Sequence, residues 1–345
     1  MKYNYIIFNS VESKIDFNPN GYYAICYNDV RNHNQIQCID IPLQGYCKFW
    51  RYLYALHHSA RINERINLPF KKIWYPYYFK NEFKDSKEIC FILQIRLPIF
   101  YLQYLKEQYH NCKFVSIYRD LRKITEINNP EYPNHPIFDL EMTIDKNEAK
   151  LYGWHHFEEF ESKIDVPKSS SYFESDVFFA GKAKDRLERL LKAYNIFTKA
   201  GLRCKYYLTG VPQNKRINLP GIEYAEKFMP YSEMLYHTIN SKCILEINQY
   251  EAVGYTSRFL EAVMYNKRLI TDNKDVMLSK FYSSDNIMCI SDILDIDPSF
   301  VSSEKIVDYH YNGEFSPIHL IEKIDLLLTC LLYTSPSPRD TERSR

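Results

Sequence analysis

The sequence predicts an α/β protein of two layered domains, the second built on a doubly wound parallel sheet. Three observations carry this. Short, near-continuous apolar runs alternate with segments at helical spacing, the pattern of parallel strands covered on both faces. A polar, Ser-rich segment carrying a proline, residues 164–175 (IDVPKSSSYFES), separates the halves as a linker. The chain of 345 residues, 46% of them hydrophobic, is long enough for two ordinary domains with a core each. The expected domains are 1–163 and 176–328, with 330–345 as a tail.

In the first half, Tyr5–Phe8 reads as a strand. Residues 46–63 form an aromatic and basic segment with Trp50, Tyr52, Leu53 and Leu56 at helical spacing. Ile89–Leu93 reads as a strand, Pro98–Tyr109 as a helix and Lys113–Tyr118 as a strand. Phe138–Ile144 and Glu148–Tyr152 suggest one more strand and a turn. The second half is cleaner. Asp176–Ala180 is a strand ending at Gly181, and Lys184–Ala200 is a helix with Leu187, Leu190, Leu191, Tyr194 and Phe197 on one face, stopped by Gly201. Cys204–Thr209 is a strand, Tyr231–Asn240 a helix and Cys243–Ile247 a buried strand followed by a loop at 248–254. Thr256–Tyr265 is a helix, and Arg268–Thr271 and Ile287–Ile290 are strands. Ligands of such sheets bind beyond the carboxyl ends of the strands.

Composition excludes several classes. The net charge is +1, less basic than expected of a protein gripping a polyanion along its length, so no nucleic-acid partner is expected. The longest apolar stretch, Ile89–Leu102, is broken by Gln94, Arg96 and Pro98, short of the roughly 18 apolar residues that span a bilayer. No secretory leader is visible, and the nine cysteines form no CxxC pair. They read as reduced thiols of a cytoplasmic protein. The string CLLYTSPSPRD at 330–340 looks like a translated sequencing adapter, the alternative being a natural Ser/Pro-rich tail; the genuine chain is expected to stop near Thr329, with the true C-terminus left open.

Two segments carry candidate chemistry. The first is Ile244–Gln249 followed by Gly254-Tyr255-Thr256-Ser257-Arg258 and Glu261: a strand, a polar loop, a Gly turn and a helix start. The unpaired N–H groups and positive dipole of that start favour a phosphate. Thr256 or Ser257 can cap the helix or bind a phosphate oxygen. Arg258 offers a planar fork, and Glu261 can accept two sugar hydroxyls. Equally, Arg258 and Glu261 form a surface pair and Gly254 is only a turn. The second is Gly181-Lys182-Ala183-Lys184-Asp185-Arg186, directly after a strand, which either holds a diphosphate or is a solvated helix start. His155-His156 with Glu158-Glu159 lacks metal-ligand spacing, and no metal is expected. Arg119 and Asp120 follow the Lys113–Tyr118 strand, at a cleft or in a surface ion pair. Lys48-Phe49-Trp50-Arg51-Tyr52 either rests on a membrane surface or packs inward as a core-facing helix.

Several of these stretches resemble bacterial glycosyltransferase-like proteins of capsule and lipopolysaccharide gene clusters, commonly of Bacteroides-type organisms. They are Val177–Gly181 with Lys184–Leu187, Cys243–Ile247, Gly254-x-Thr256-x-Arg258-x-x-Glu261-Ala262, Lys267–Asn273, and Phe281-Tyr282 with Asn286-Ile287. The second half matches well and the first half in outline. The resemblance implies a GT-B architecture, two Rossmann-like domains facing a central cleft. It implies a nucleotide-diphosphate sugar donor held mostly by the second domain, a glycan or lipid-linked glycan acceptor, and no obligatory metal or cofactor. It assigns the diphosphate to Gly181, Lys182, Lys184, Gly254, Thr256, Ser257 and Arg258, and the ribose or sugar to Gln249 and Glu261. Retaining members carry two acidic residues around the Gly loop. Glu261 matches the second, whereas Glu251, ten residues before it, stands off the family spacing. An inverting member needs a base from the first domain, for which Asp120 is the candidate. Peripheral contact with the inner face of the cytoplasmic membrane is a further expectation. A catalytically silent binding protein of the same fold is the competing reading. A sugar-nucleotide epimerase is a third, its short-chain form opposed by the lack of Tyr-x-x-x-Lys beside GxGxxG.

Overall fold

Twelve strands describe most of the architecture, in a computed structural model that covers residues 1–9, 15–66, 68–167, 173–249 and 254–334. The first six are β1 (Asn4–Phe8), β2 (Ile36–Ile39), β3 (Ile89–Leu93), β4 (Lys113–Tyr118), β5 (Leu140–Thr143) and β6 (His155–His156). They form one sheet in the order β2-β1-β3-β4-β5-β6, every neighbouring pair parallel. The other six are β7 (Ser175–Lys182), β8 (Cys204–Thr209), β9 (Ile222–Ala225), β10 (Ser241–Glu246), β11 (Arg268–Thr271) and β12 (Ile287–Cys289). Their order is β9-β8-β7-β10-β11-β12, again all parallel. The second order is that of a dinucleotide-type Rossmann sheet, and the first begins as a flavodoxin-type one. The fold is therefore α/β with two Rossmann-like units.

The units divide the chain as Met1–Pro19, Tyr23–Phe157 and Ser316 onward, against Asn20–Tyr22 and Glu158–Phe315. The division falls at Phe157, ahead of the Ser-rich segment, of which 168–172 lie outside the described residues. The helix Pro317–Thr334 belongs to the first unit, and 335–345 lie outside the described residues.

Each sheet is covered on both faces, which explains the unbroken apolar runs. Along β10 and just past its end, Cys243, Leu245 and Ile247 pack with Phe179, Leu208 and Tyr194 on one side. Ile244 packs with Phe259, Leu260 and Leu269 on the other. In the first unit an aromatic ladder crosses neighbouring strands, Phe8 stacking 5.9 Å from Phe91 and Phe91 5.2 Å from Phe114.

Three short strands escape a reading by pattern. β2 is buried throughout but contains Gln37, whose amide donates to the Lys80 carbonyl at 2.7 Å and so tolerates burial. β6 has two residues, and β9 is a half-exposed edge. The expected turn at Glu148–Tyr152 is a helix, Lys146–Tyr152. Asp145 caps it by accepting from the Glu148 N–H at 2.7 Å, and Gly153 at φ +72° ends it. The strand expected to end at Gly181 continues through it to Lys182. The next helix opens with a 3-10 turn, Lys184–Arg186, before Leu187–Lys199.

Candidate functional site: the carboxyl edge of the second sheet

In the second unit the strand order reverses between β7 and β10, and a doubly wound sheet opens a crevice beyond the carboxyl ends of two such strands. β7 ends there at Ala180-Gly181-Lys182 and β10 at Glu246, followed by Ile247-Asn248-Gln249. The helix Ser257–Met264 starts at the same edge. Both sequence segments that carry candidate chemistry thus converge on one place.

Arg258 is the pivot. Its guanidinium donates to the carbonyl of Ala180 and lies 4.9 Å from the centre of the Phe179 ring. Gly181 makes this possible: a Cβ there would sit 2.7 Å from Arg258 Nη2, and its φ of +154° disfavours any side chain. A second guanidinium, Arg186, lies 5.2 Å from the same ring. It donates to the Lys182 carbonyl at 2.9 Å and to the Ile247 carbonyl, tying β7 to β10. Burial, then the nearby positive charge of Arg258, lowers its pKa from 12.5 to about 10.

Three carboxylates answer these cations. Glu246 is fully buried and accepts from the Thr256 and Thr271 hydroxyls. Glu261, 1% exposed, accepts from Tyr231 Oη at 3.0 Å and Thr238 Oγ1 at 3.5 Å. Burial pushes both acids up, and Arg258 pulls both back. Asp272 pairs with Arg189 and accepts the Asn248 N–H at 2.8 Å, fixing the start of the loop after β10.

Thr256 sits at the N-cap position of the Ser257–Met264 helix in extended conformation, but makes no side-chain cap. Its hydroxyl goes to Glu246 instead. The N-cap side chain therefore leaves the helix start, at the positive end of its dipole, uncapped.

The nine residues expected to hold a donor, Gly181, Lys182, Lys184, Gln249, Gly254, Thr256, Ser257, Arg258 and Glu261, all belong to the second unit. Lys182 is exposed, 5.2 Å over the Phe228 ring. Lys184, also exposed, donates to Gln249 Oε1 at 2.7 Å. Ser257 is half-buried at the first helical position. Gly254 has φ +70°, with its N–H on Asp275 at 3.2 Å and its carbonyl on Asn273 at 2.9 Å. Residues 250–253, including Glu251, lie outside the described residues. Asp120, the candidate base, is exposed beyond the carboxyl end of β4 in the first unit. Sequence reasoning missed Phe179 as the shared platform and the Arg189–Asp272 pair. A strand Phe gives no local signal of a cation above it, and Arg189 and Asp272 stand 83 residues apart. Among the described residues no three His, Cys, Asp or Glu gather as a metal cluster, and His155-His156 is the edge strand β6. No helix of the described residues is long and apolar enough to cross a membrane.

No protein-family model matches the chain, and no curated protein matches it. Solved structures do resemble it. TarM is 11% identical over 70% of this chain and 54% of its own, with a TM-score of 0.45, so the chain spans about half its length. A DNA-modifying β-glucosyltransferase, solved with and without uridine diphosphoglucose, is 10% identical over 86% of this chain and 88% of its own, at a TM-score of 0.47. UDP-N-acetylglucosamine 2-epimerase from Rickettsia bellii is 11% identical over 94% and 96%, at 0.48. Likeness at this level leaves the activity to be argued from the site.

Proposed function

We propose that the chain is a glycosyltransferase. It moves a sugar from a nucleotide-diphosphate donor to a surface-polysaccharide intermediate, a capsule or lipopolysaccharide precursor, at the cytoplasmic side of the membrane. The observation that carries this reading is Arg258, held across the end of β7 at the strand-order reversal beside a helix start without a side-chain cap.

The chemistry is a displacement at the sugar C1. The bond from C1 to the diphosphate oxygen breaks, its electron pair leaves with the diphosphate, and a bond from the acceptor hydroxyl forms. Charge develops on the leaving oxygens, where Arg258, Lys182 and Lys184 with the helix N–H groups neutralise it without a metal. Gln249 serves the sugar end. Glu261 is buried within electrostatic reach of Arg258, with Tyr231 and Thr238 already on its oxygens, so it acts on the donor through the charge of that guanidinium. The acceptor proton goes, in an inverting reaction, to a carboxylate of the first unit, for which Asp120 is the candidate.

One observation favours the silent-binding alternative. Arg258, Lys184 and Arg186 are already engaged by Ala180, Gln249, Lys182 and Ile247. Purified protein incubated with UDP-, GDP-, CMP- and dTDP-sugars separates the two. Donor hydrolysis or transfer supports the enzyme, and nucleotide binding without turnover supports the silent protein.

A further inference from the structure

The first unit carries a surface unlike the rest of the chain. Residues 48–80 hold seven Lys or Arg and a single acidic residue, Glu64, in a protein whose whole net charge is +1. The same stretch contributes eight of the 21 large hydrophobic residues exposed among the described residues. Positive charge and bare apolar surface are therefore concentrated on one short segment of the chain.

The geometry is specific. On the helix Lys48–His57, Phe49, Tyr52 and Leu56 share the i, i+3, i+7 stripe, and all three are exposed, Phe49 to 63%. Only Tyr54 of that helix is buried, against Trp74 and Tyr78. Leu53 packs on that same core, so the helix turns one side inward and bares a second, apolar stripe to the outside. The neighbouring 3-10 segment Lys71–Tyr77 adds exposed Ile73 and Tyr77. Before it, Phe70 is held at φ +62°, a left-handed conformation that a bulky residue rarely adopts, with 78% of its surface exposed. Between the two segments lies an apolar cavity of about 330 Å³, lined by Leu43, Tyr46, Trp50, Ile73, Trp74 and Tyr77. Lys80 sits 4.7 Å over the Tyr46 ring at its edge, and Lys72 5.2 Å over Phe100.

We propose that this face rests on an anionic phospholipid bilayer, with Phe49, Trp50, Phe70 and Ile73 in the headgroup–acyl boundary and the surrounding Lys and Arg on lipid phosphates. The chemistry selects that occupant. Amphipathic rings and basic side chains are what an interfacial segment uses, and each basic residue near an anionic leaflet strengthens adsorption. A second copy of the same face would bring two strongly positive surfaces together. A single-stranded nucleic acid would use the rings and cations, but gains little from the bare aliphatic side chains of Leu56, Ile66 and Ile73. The inference deepens the peripheral membrane contact of the reading above, yet depends on the first unit's surface alone.

The test is co-sedimentation of the full chain with vesicles of phosphatidylcholine, with or without phosphatidylglycerol, read without any sugar donor. Failure of the glycosyltransferase reading would leave this readout intact, and the converse holds. Binding is expected to the anionic vesicles only. Phe49→Ser with Phe70→Ser, and separately Lys48→Glu with Lys72→Glu, should each weaken it about tenfold or more with the melting temperature unchanged. A circular-dichroism melt guards against misfolding, and the second pair, being exposed and lysine-only, keeps the test valid if the first unfolds. The proposal is overturned by equal partition into neutral vesicles, by no binding to either, by wild-type partition in both variants, or by binding to a single-stranded oligonucleotide instead. Self-association through this face, seen as a dimer that the charge reversals do not weaken, would overturn it too.

Discussion

Gly181 and Arg258 compete for one small volume. A methyl group at Gly181 would need the space Arg258 Nη2 occupies 2.7 Å away, and the far end of a long side chain yields before backbone does. Gly181→Ala should therefore swing the guanidinium off the Ala180 carbonyl and weaken nucleotide binding, while strain at φ +154° lowers the melting temperature. The variant's nucleotide affinity and its melt report the two effects separately. The buried acids make a second prediction. Glu246 and Glu261 hold their protons to higher pH in the folded chain than the 4.5 of an ordinary Glu. Their stabilising effect is complete below that value. Above it the unfolded chain ionises first, so stability falls as pH rises through the folded values. Glu261→Gln should flatten that fall in urea midpoints measured from about pH 5 to about pH 8, where a slope equal to wild type would refute the assignment. At this scale the sequence was half legible. Arg258 next to a Gly turn announced itself, but Gly181 reads as a turn glycine and is instead a strand glycine serving a side chain 77 positions away. No local pattern encodes a contact of that reach.

The helix Ser257–Met264 links the site to the core. Phe259 through Met264 are all buried, and the chain leaves the helix through Asn266, which adopts φ +53° while the Lys267 N–H returns to the Ala262 carbonyl at 2.8 Å. Leu260→Ala removes side-chain volume from the face packed on β10 and β11 and should destabilise the second unit by about 2–5 kcal/mol. Chemical denaturation measures this, and a loss under 1 kcal/mol would mean the helix is loosely packed. Elements like this one were legible because their apolar runs are long and bounded: β3, β4, β8 and β11 have the ends expected from sequence. The missed elements are those whose pattern is too short or too polar. β6 has two residues, β2 contains a buried Gln, and the Lys146–Tyr152 helix is announced only by its Asp145 cap.

For the whole molecule, the consequential asymmetry is that the residues of the candidate site belong to one unit, while the exposed aromatic and basic face belongs to the other. A nucleotide that binds at the carboxyl ends of β7 and β10 should stabilise the second unit, by about 2.7 kcal/mol at a hundredfold excess over Kd. Hydrogen exchange should then slow across β7, β10 and the Ser257–Met264 helix, with the first unit's ladder little changed. Even protection of both sheets would contradict a site built on the second sheet alone. The two-unit plan was legible from the alternation of strands and helices. The return of Ser316 onward to the first unit was not, since the Pro317–Thr334 helix carries no sequence mark of which sheet it joins.

The most direct measurement is a calorimetric titration of nucleoside diphosphates into the wild-type chain and Arg258→Ala. At least one nucleotide should bind the wild type, and the variant should lose about tenfold to a hundredfold in affinity, the scale of a charge-assisted hydrogen bond, while its circular dichroism stays that of the folded protein. Equal affinity in the two proteins, or no nucleotide bound by the wild type, would contradict the account.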